Sequence, residues 1–317
     1  MSLFYNISPK GTVSINNYSL GKYVQSLGFA KHYFTNEKTI TPIYVYKDKN
    51  NIIEPVSPIR VHEVIIRELE TRAGSSGSIP VEDLPRVVDK LVGSRILTSQ
   101  ELLITMDHLD KPIISDTSDT AVFPFRNGVA TVTRDDIKFN PLSSIDGYIW
   151  STQKTDRDFE LGTIEDAERS DFFRFLGNIT ATGTTTGWAE SQDRFNALYT
   201  LIGYLLHSYK DPTNPRAVIL MDSSLVGEPT GRTGKGLIVQ GLNKIRNTVK
   251  IDGKDYDGSN RFKFSGVSPD AKLIFLDDVG QGFDFENLFS IVTEGIKVEE
   301  KYVKSYYIPF DRSPKII

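Results

Sequence analysis

The stretch EPTGRTGKGLIVQGL, residues 228–242, decides how this chain is read. Its glycines and lysine have the spacing of a loop that cradles phosphate and then runs into a helix. Glycines let successive backbone N–H groups point at an anion, the helix N-terminus adds a positive dipole, and a lysine reaches the outermost phosphates. Gly231, Gly234 and Lys235 supply those parts. Two positions depart from the usual GxxxxGK[ST] pattern. Pro229 stands at the first glycine, and Gly236 stands where a magnesium-binding hydroxyl normally follows the lysine. Taken alone, the loop also fits a glycine-rich turn that caps a helix.

The neighbours on either side favour the phosphate reading. Upstream, RAVILMD is short, apolar and β-branched, as a buried strand is. Downstream, KGLIVQGLNKI has helical periodicity. Farther on, AKLIFLDDVG is an apolar strand ending in Asp277 and Asp278. A buried strand delivers both carboxylates to its C-terminal edge, where one can hold Mg2+ and the other can orient an attacking water. The segment IKVEEKYVKSYYI then predicts a hairpin with Lys297, Lys301 and Lys304 on or near its tip. Such lysines are either solubilising or grip a nucleic-acid backbone.

Composition sets the frame around these elements. A chain of 317 residues is long enough for two or three domains. The apolar runs are too short to span a bilayer, and the N-terminus lacks a secretory signal. With no cysteine there are no disulfides and no zinc-thiolate site, so a cytoplasmic setting is expected. A net charge of -4 argues against a generally basic surface, although a local basic loop could still hold a strand. The histidines, His32, His62, His108 and His207, have no metal-ligand spacing. Asp156 and Asp158 alternate as a metal pair on a strand would, but lack a partner acid.

The expected fold class is α/β, with a P-loop NTPase core of the AAA+-like kind at the C-terminal end, preceded by mixed α/β and helical regions. Three regions are expected. Residues 1–115 hold β-rich runs such as TPIYVYKD, the helix VHEVIIRELETR with Val61, Ile65 and Leu69 on one face, and a helical pair breaking near Gly93. Residues 116–190 form a connecting layer, with a hairpin turning at Asn127 and Gly128, strands through IDGYIW, and then the helical pattern EDAERSDFFRFLGNI. Residues 191–317 form the ATPase core, entered by the helix DRFNALYTLIGYLLHSYK. Asp193 is expected to cap that helix and Pro212 forbids its continuation.

With loop, acidic strand and basic hairpin in order, the sequence resembles the superfamily 3 helicases, in particular the primase-helicase type of large DNA viruses and phages. The resemblance covers at least residues 120–317 and rests on FRNG, IDGYIW, LIGYLLHSYKDPTNPRAVILMD, EPTGRTGKG, LIFLDDV and EGIKVEEKYVKSYYIPFDRSPKII. It implies a ring-forming, hexameric ATPase that moves along single-stranded DNA during replication, with ATP and Mg2+ as cofactors and a primase or polymerase as partners. It implies that residues Thr230, Gly231, Arg232, Thr233, Gly234, Lys235 and Gly236 line the nucleotide's phosphates, with Lys235 on the β and γ groups. Asp277 would organise the metal, Asp278 would polarise water, and Lys301 would lead the DNA contact. Gly-Lys-Gly is then a variant loop in which water, Thr230 or Thr233 replaces the missing hydroxyl.

The resemblance also implies that SPKII leads into a strand ending in a sensor residue beside the γ phosphate, with an arginine farther on. On that basis the chain to Ile317 is expected to be a truncated form of weak or absent hydrolytic activity. The competing expectation is a catalytically inactive DNA-binding or replisome-assembly factor that keeps the fold. A small-molecule kinase fits less well, because no substrate lid follows the acidic strand.

Overall fold

A computed structural model of the chain describes residues 4–33, 42–75, 78–98, 100–184, 187–189, 191–221, 233–280, 282–300 and 303–317. They form a mixed α/β protein with several small sheets, divided into two compact units. The first comprises residues 1–113 and 145–151, and the second 114–144 and 152–317.

In the first unit, β1 (Tyr5–Ile7) and β2 (Val13–Ile15) form an antiparallel ribbon, followed by α1 (Asn17–Ser26) and the antiparallel strands β3 (Phe29–His32), β4 (Ile43–Lys47) and β5 (Ile52–Val56). Helix α2 (Pro58–Arg72) starts where Pro58 pre-sets φ and the Ser57 hydroxyl accepts from the N–H of Arg60 at 3.3 Å. Its buried face is Val61, Ile65 and Leu69, the stripe expected from the spacing. Each side chain contributes about 1.5–3 kcal/mol of apolar burial. Helices α3 (Leu84–Gly93) and α4 (Gln100–Thr105) are the helical pair, and Val87, Leu91 and Leu102 complete the same core.

The chain next forms an antiparallel sheet of the second unit, β6 (Ala121–Pro124), β7 (Val129–Val132) and β8 (Ile137–Asn140), with the first turn at Asn127 and Gly128 as expected. Strand β9 (Ile149–Trp150) then departs from the sequence reading. IDGYIW was expected in a connecting layer, but its last two residues pair in parallel with Ile52 and Ile53 in the first unit's sheet. Two residues are too short to carry a periodic signal that would reveal this partner.

The helical stretch after Thr163 is two helices, α5 (Ile164–Glu168) and α6 (Asp171–Thr180). The threonine- and glycine-rich segment holds a small ribbon, β10 (Thr182–Thr184) with β11 (Gly187–Ala189). Helix α7 (Gln192–Leu206) buries Ile202 and Leu205. Its N-cap residue is Ser191, not Asp193, which sits inside the first turn beside the helix dipole's positive end.

The remaining elements are α8 (Lys235–Asn243), β12 (Thr248–Asp252), β13 (Leu273–Asp277), α9 (Glu286–Thr293), the antiparallel pair β14 (Gly295–Glu300) and β15 (Val303–Pro309), and β16 (Lys315–Ile316). Strands β12, β13 and β16 form a parallel sheet with β13 in the centre. Alternate residues of β13 enter two cores. Leu273 and Phe275 join Leu176, Ile202, Leu205, Ile238 and Leu242, whereas Ile274 and Leu276 join Phe264, Leu288, Ile291 and Ile308. A strand buried on both faces reads as a continuous apolar run, which is why LIFLD was legible. The expected strand RAVILMD is not a strand over its described residues 216–221, where the N–H of Val218 donates to the carbonyl of Ile316 in β16 at 2.9 Å.

Candidate functional site

Lys235 is the first residue of α8, and the residue before it, Gly234, has φ 93°. An added Cβ at Gly234 would meet the Phe175 ring at 2.9 Å and Ile179 at 3.1 Å, so both backbone angle and space require glycine. Gly236 differs. Nothing lies within 4 Å of where its Cβ would be, so crowding does not exclude a hydroxyl there. The Lys235 ammonium donates to the hydroxyl of Thr233 at 3.1 Å. Thr230, Gly231 and Arg232 lie outside the described residues.

Opposite the lysine, β13 ends at Asp277, and Asp278 turns the chain in the left-handed region at φ 57°. Aspartate tolerates that conformation better than most residues. The turn sends the two neighbouring carboxylates to different partners. Asp277 pairs with Lys250 of β12 at 2.5 Å, and Asp278 with Lys254 at 2.6 Å. The hydrogen bond from Lys254, with the charges of Lys254 and Lys235, holds the Asp278 carboxyl below its ordinary range. Bonding to Asp277 raises Lys250, and bonding to Asp278 raises Lys254.

Lys235, Asp277 and Asp278 line one cavity of about 560 Å³ at the C-terminal edge of the sheet. Its other walls are mainly apolar, including Ile219, Phe283, Phe285 and Phe289. A largely apolar crevice with a few convergent charged groups, placed beyond strand C-termini, is where ligands bind in α/β sheets. The sequence reading found the three charged residues but missed Lys250, Lys254 and the phenylalanine wall. TVKID alternates in the β12 register that puts Lys250 beside Phe275 of β13, but only pairing of the two strands brings it near Asp277.

The hairpin β14–β15 is present, but Lys297 lies near its base, opposite Tyr307, and pairs with Glu299 at 2.5 Å. It was expected on or near the tip. Lys301 lies outside the described residues, as does the side chain of Lys304. Asp158, weighed as a metal ligand, is held by Arg126 through two bonds of 2.9 and 2.7 Å. Among the described residues no helix is long and apolar enough to cross a membrane. No protein-family model matches the chain, and no curated protein matches it significantly.

Proposed function

We propose that the second unit is a P-loop-type ATPase core and that the chain acts as an ATP-dependent DNA helicase of viral or phage replication. One observation carries this reading: Lys235, at a helix start behind a left-handed glycine, shares a cavity with Asp277 and Asp278, and its charge acts on the Asp278 carboxyl. The pairing of β16 with β13 supports it, since the resemblance has SPKII leading into a strand. ATP is the ligand proposed for this cavity.

Mg2+ fits the chemistry of Asp277 and Asp278, which both line this cavity and carry the hard carboxylate oxygens that the ion takes. Asp277 would hold the ion, which when bound neutralises phosphate charge. Lys235 orients the terminal phosphates through its ammonium. Asp278, kept ionised, accepts a hydrogen bond from the attacking water and aligns it. In this reading the hairpin holds single-stranded DNA, the functional form is a ring of like subunits working with a primase or polymerase, and the setting is the host cytoplasm.

A second reading has its own observation. Each carboxylate already holds a lysine, as a fold that binds DNA or assembles a replisome without turnover would allow. Binding of a fluorescent ATP analogue and ATP hydrolysis, with and without single-stranded DNA, test both on the wild type and on Lys235→Ala. The helicase reading expects DNA-stimulated turnover that falls roughly 10²-fold in the variant. DNA binding with neither ATP binding nor hydrolysis selects the assembly factor. ATP binding unaltered by Lys235→Ala removes the site.

A further inference from the structure

A second concave site lies at the other end of α8. A polar cavity of about 330 Å³ is lined by residues 152–157 on one side and 243–247 on the other. Lys154, Arg157 and Lys244 contribute three cations, and Gln153, Thr155 and Asn243 contribute neutral polar groups. The Asn243 side-chain oxygen accepts from the N–H of Thr248 at 3.3 Å, which leaves its amide N–H groups as donors. Asp156 is the one carboxylate in the lining.

Gathering in one lining sets these cations apart. The chain is acidic overall, with a net charge of -4, and Arg126, Arg174, Lys250, Lys254 and Lys297 of the same unit each hold a carboxylate. Among the described residues Lys154, Arg157 and Lys244 form no ion pair. Three cations against the single carboxylate of Asp156 leave the depression positive, which favours an anion there.

The depression is also built rather than incidental. Asp270, 8% exposed, accepts from the Thr152 hydroxyl on one wall and from the Asn247 amide on the other, the latter at 3.1 Å. One buried carboxylate therefore fixes the separation of the two walls. Thr155 is held against β6 by its N–H, which donates to the carbonyl of Pro124 at 2.8 Å. Behind the opposite wall, Arg246 is 5% exposed and bonded to Asp116 at 2.8 Å, to the carbonyl of Leu206 at 2.6 Å and to that of Val122 at 2.8 Å. Arg246 is thus structural, and the three outer cations remain for a ligand.

We propose that this groove binds the phosphodiester backbone of a nucleic-acid strand, as a contact separate from the β14–β15 hairpin. Cations with amide and hydroxyl donors are the groups that take phosphate and sugar oxygens. The lining has no aromatic ring on which a base could stack, so the contact reads backbone rather than sequence. The inference shares with the proposed function only the idea that the chain handles nucleic acid, and requires neither ATP nor turnover.

Anisotropy of a labelled oligodeoxythymidylate, titrated at several salt concentrations, tests it on the full chain. Replacing Lys154→Gln, Arg157→Gln and Lys244→Gln together should make the slope of log affinity against log salt shallower by about 2, three contacts at about 0.7 each. Asp156→Asn should act oppositely and tighten binding, which keeps the test decisive if the triple variant folds poorly. Inorganic phosphate should compete no better than chloride at equal ionic strength. An unchanged slope with unchanged Asp156→Asn affinity overturns the proposal, and so does specific competition by phosphate or capture of only an acidic peptide. Lys235→Ala run in parallel separates the failures: loss of the groove effect with ATP binding intact sinks this inference alone, and the converse sinks the ATPase alone.

Discussion

The two ends of α8 are held in opposite ways. At its C-terminal side, Arg246 and Asp116 are 5% and 3% exposed, and the guanidinium also serves two backbone carbonyls. The Asp116 carboxylate further accepts from the N–H groups of Val122 and Ser208. At the N-terminal end, Lys235 donates to the Thr233 hydroxyl at an open edge, and the facing carboxylates hold lysines that are mostly exposed. A buried, fully bonded pair cannot be given up without leaving a charge in a dry interior, whereas exposed pairs exchange for water or ligand at small cost. One end fixes the helix in the unit, and the other is free to change partners.

The sharpest way to break this contrast is Asp116→Ala. It strands Arg246 and should cost about 3–5 kcal/mol in denaturant unfolding. A loss no larger than that of an exposed pair would mean the two ends are alike.

Next in size is a comparison two residues apart. Gly234→Ala should cost about 1–3 kcal/mol, because a left-handed angle and the Phe175 contact both oppose it. Gly236→Ser should shift the thermal midpoint little, within about 0.5 kcal/mol and toward stability, because its surroundings are open and serine suits a helix better than glycine. Equal effects would show that the glycines of the loop are interchangeable.

The smallest effect concerns pH. Lys210 and Lys315 are 5% and 2% exposed, and burial lowers each from 10.5 to about 8. Lys210 bonds the Ser313 hydroxyl at 2.8 Å and lies over the Phe310 ring. The folded protein releases these protons at lower pH than the unfolded chain does, so unfolding takes up protons between pH 8 and 10.5. Stability therefore climbs with pH through that window and is insensitive to these groups below it. Lys210→Met should flatten part of the climb in chemical unfolding at stepped pH. An unaltered slope would show that the buried amine is not the source.

The parts legible in sequence were those with local periodicity. Val61, Ile65 and Leu69 mark α2, and the apolar run of β13 marks a strand buried on both faces. Lys235, Asp277 and Asp278 stood out by residue type and order, and they line one cavity. What escaped was set by partners far along the chain. Nothing near Arg246 announces Asp116, nothing in RAVILMD announces that Val218 would bond β16, and Asp270 joins two groove walls through residues from separate segments. Lys297 was misplaced because hairpin register depends on which residues turn, and that in turn fixed its distance from the tip.

The parallel pairing of β9 with β5 has a consequence for how the chain is made. Ile53 is fully buried with Trp150 as its register partner, and Ile52 pairs with Ile149. During synthesis the ribosome must deliver the whole β6–β8 sheet of the other unit before this edge can close. The first unit therefore emerges early but finishes late, its β5 edge open to incorrect strand pairing meanwhile. A non-local closure of this kind makes for slow folding, and it sets the order in which the two units can be completed.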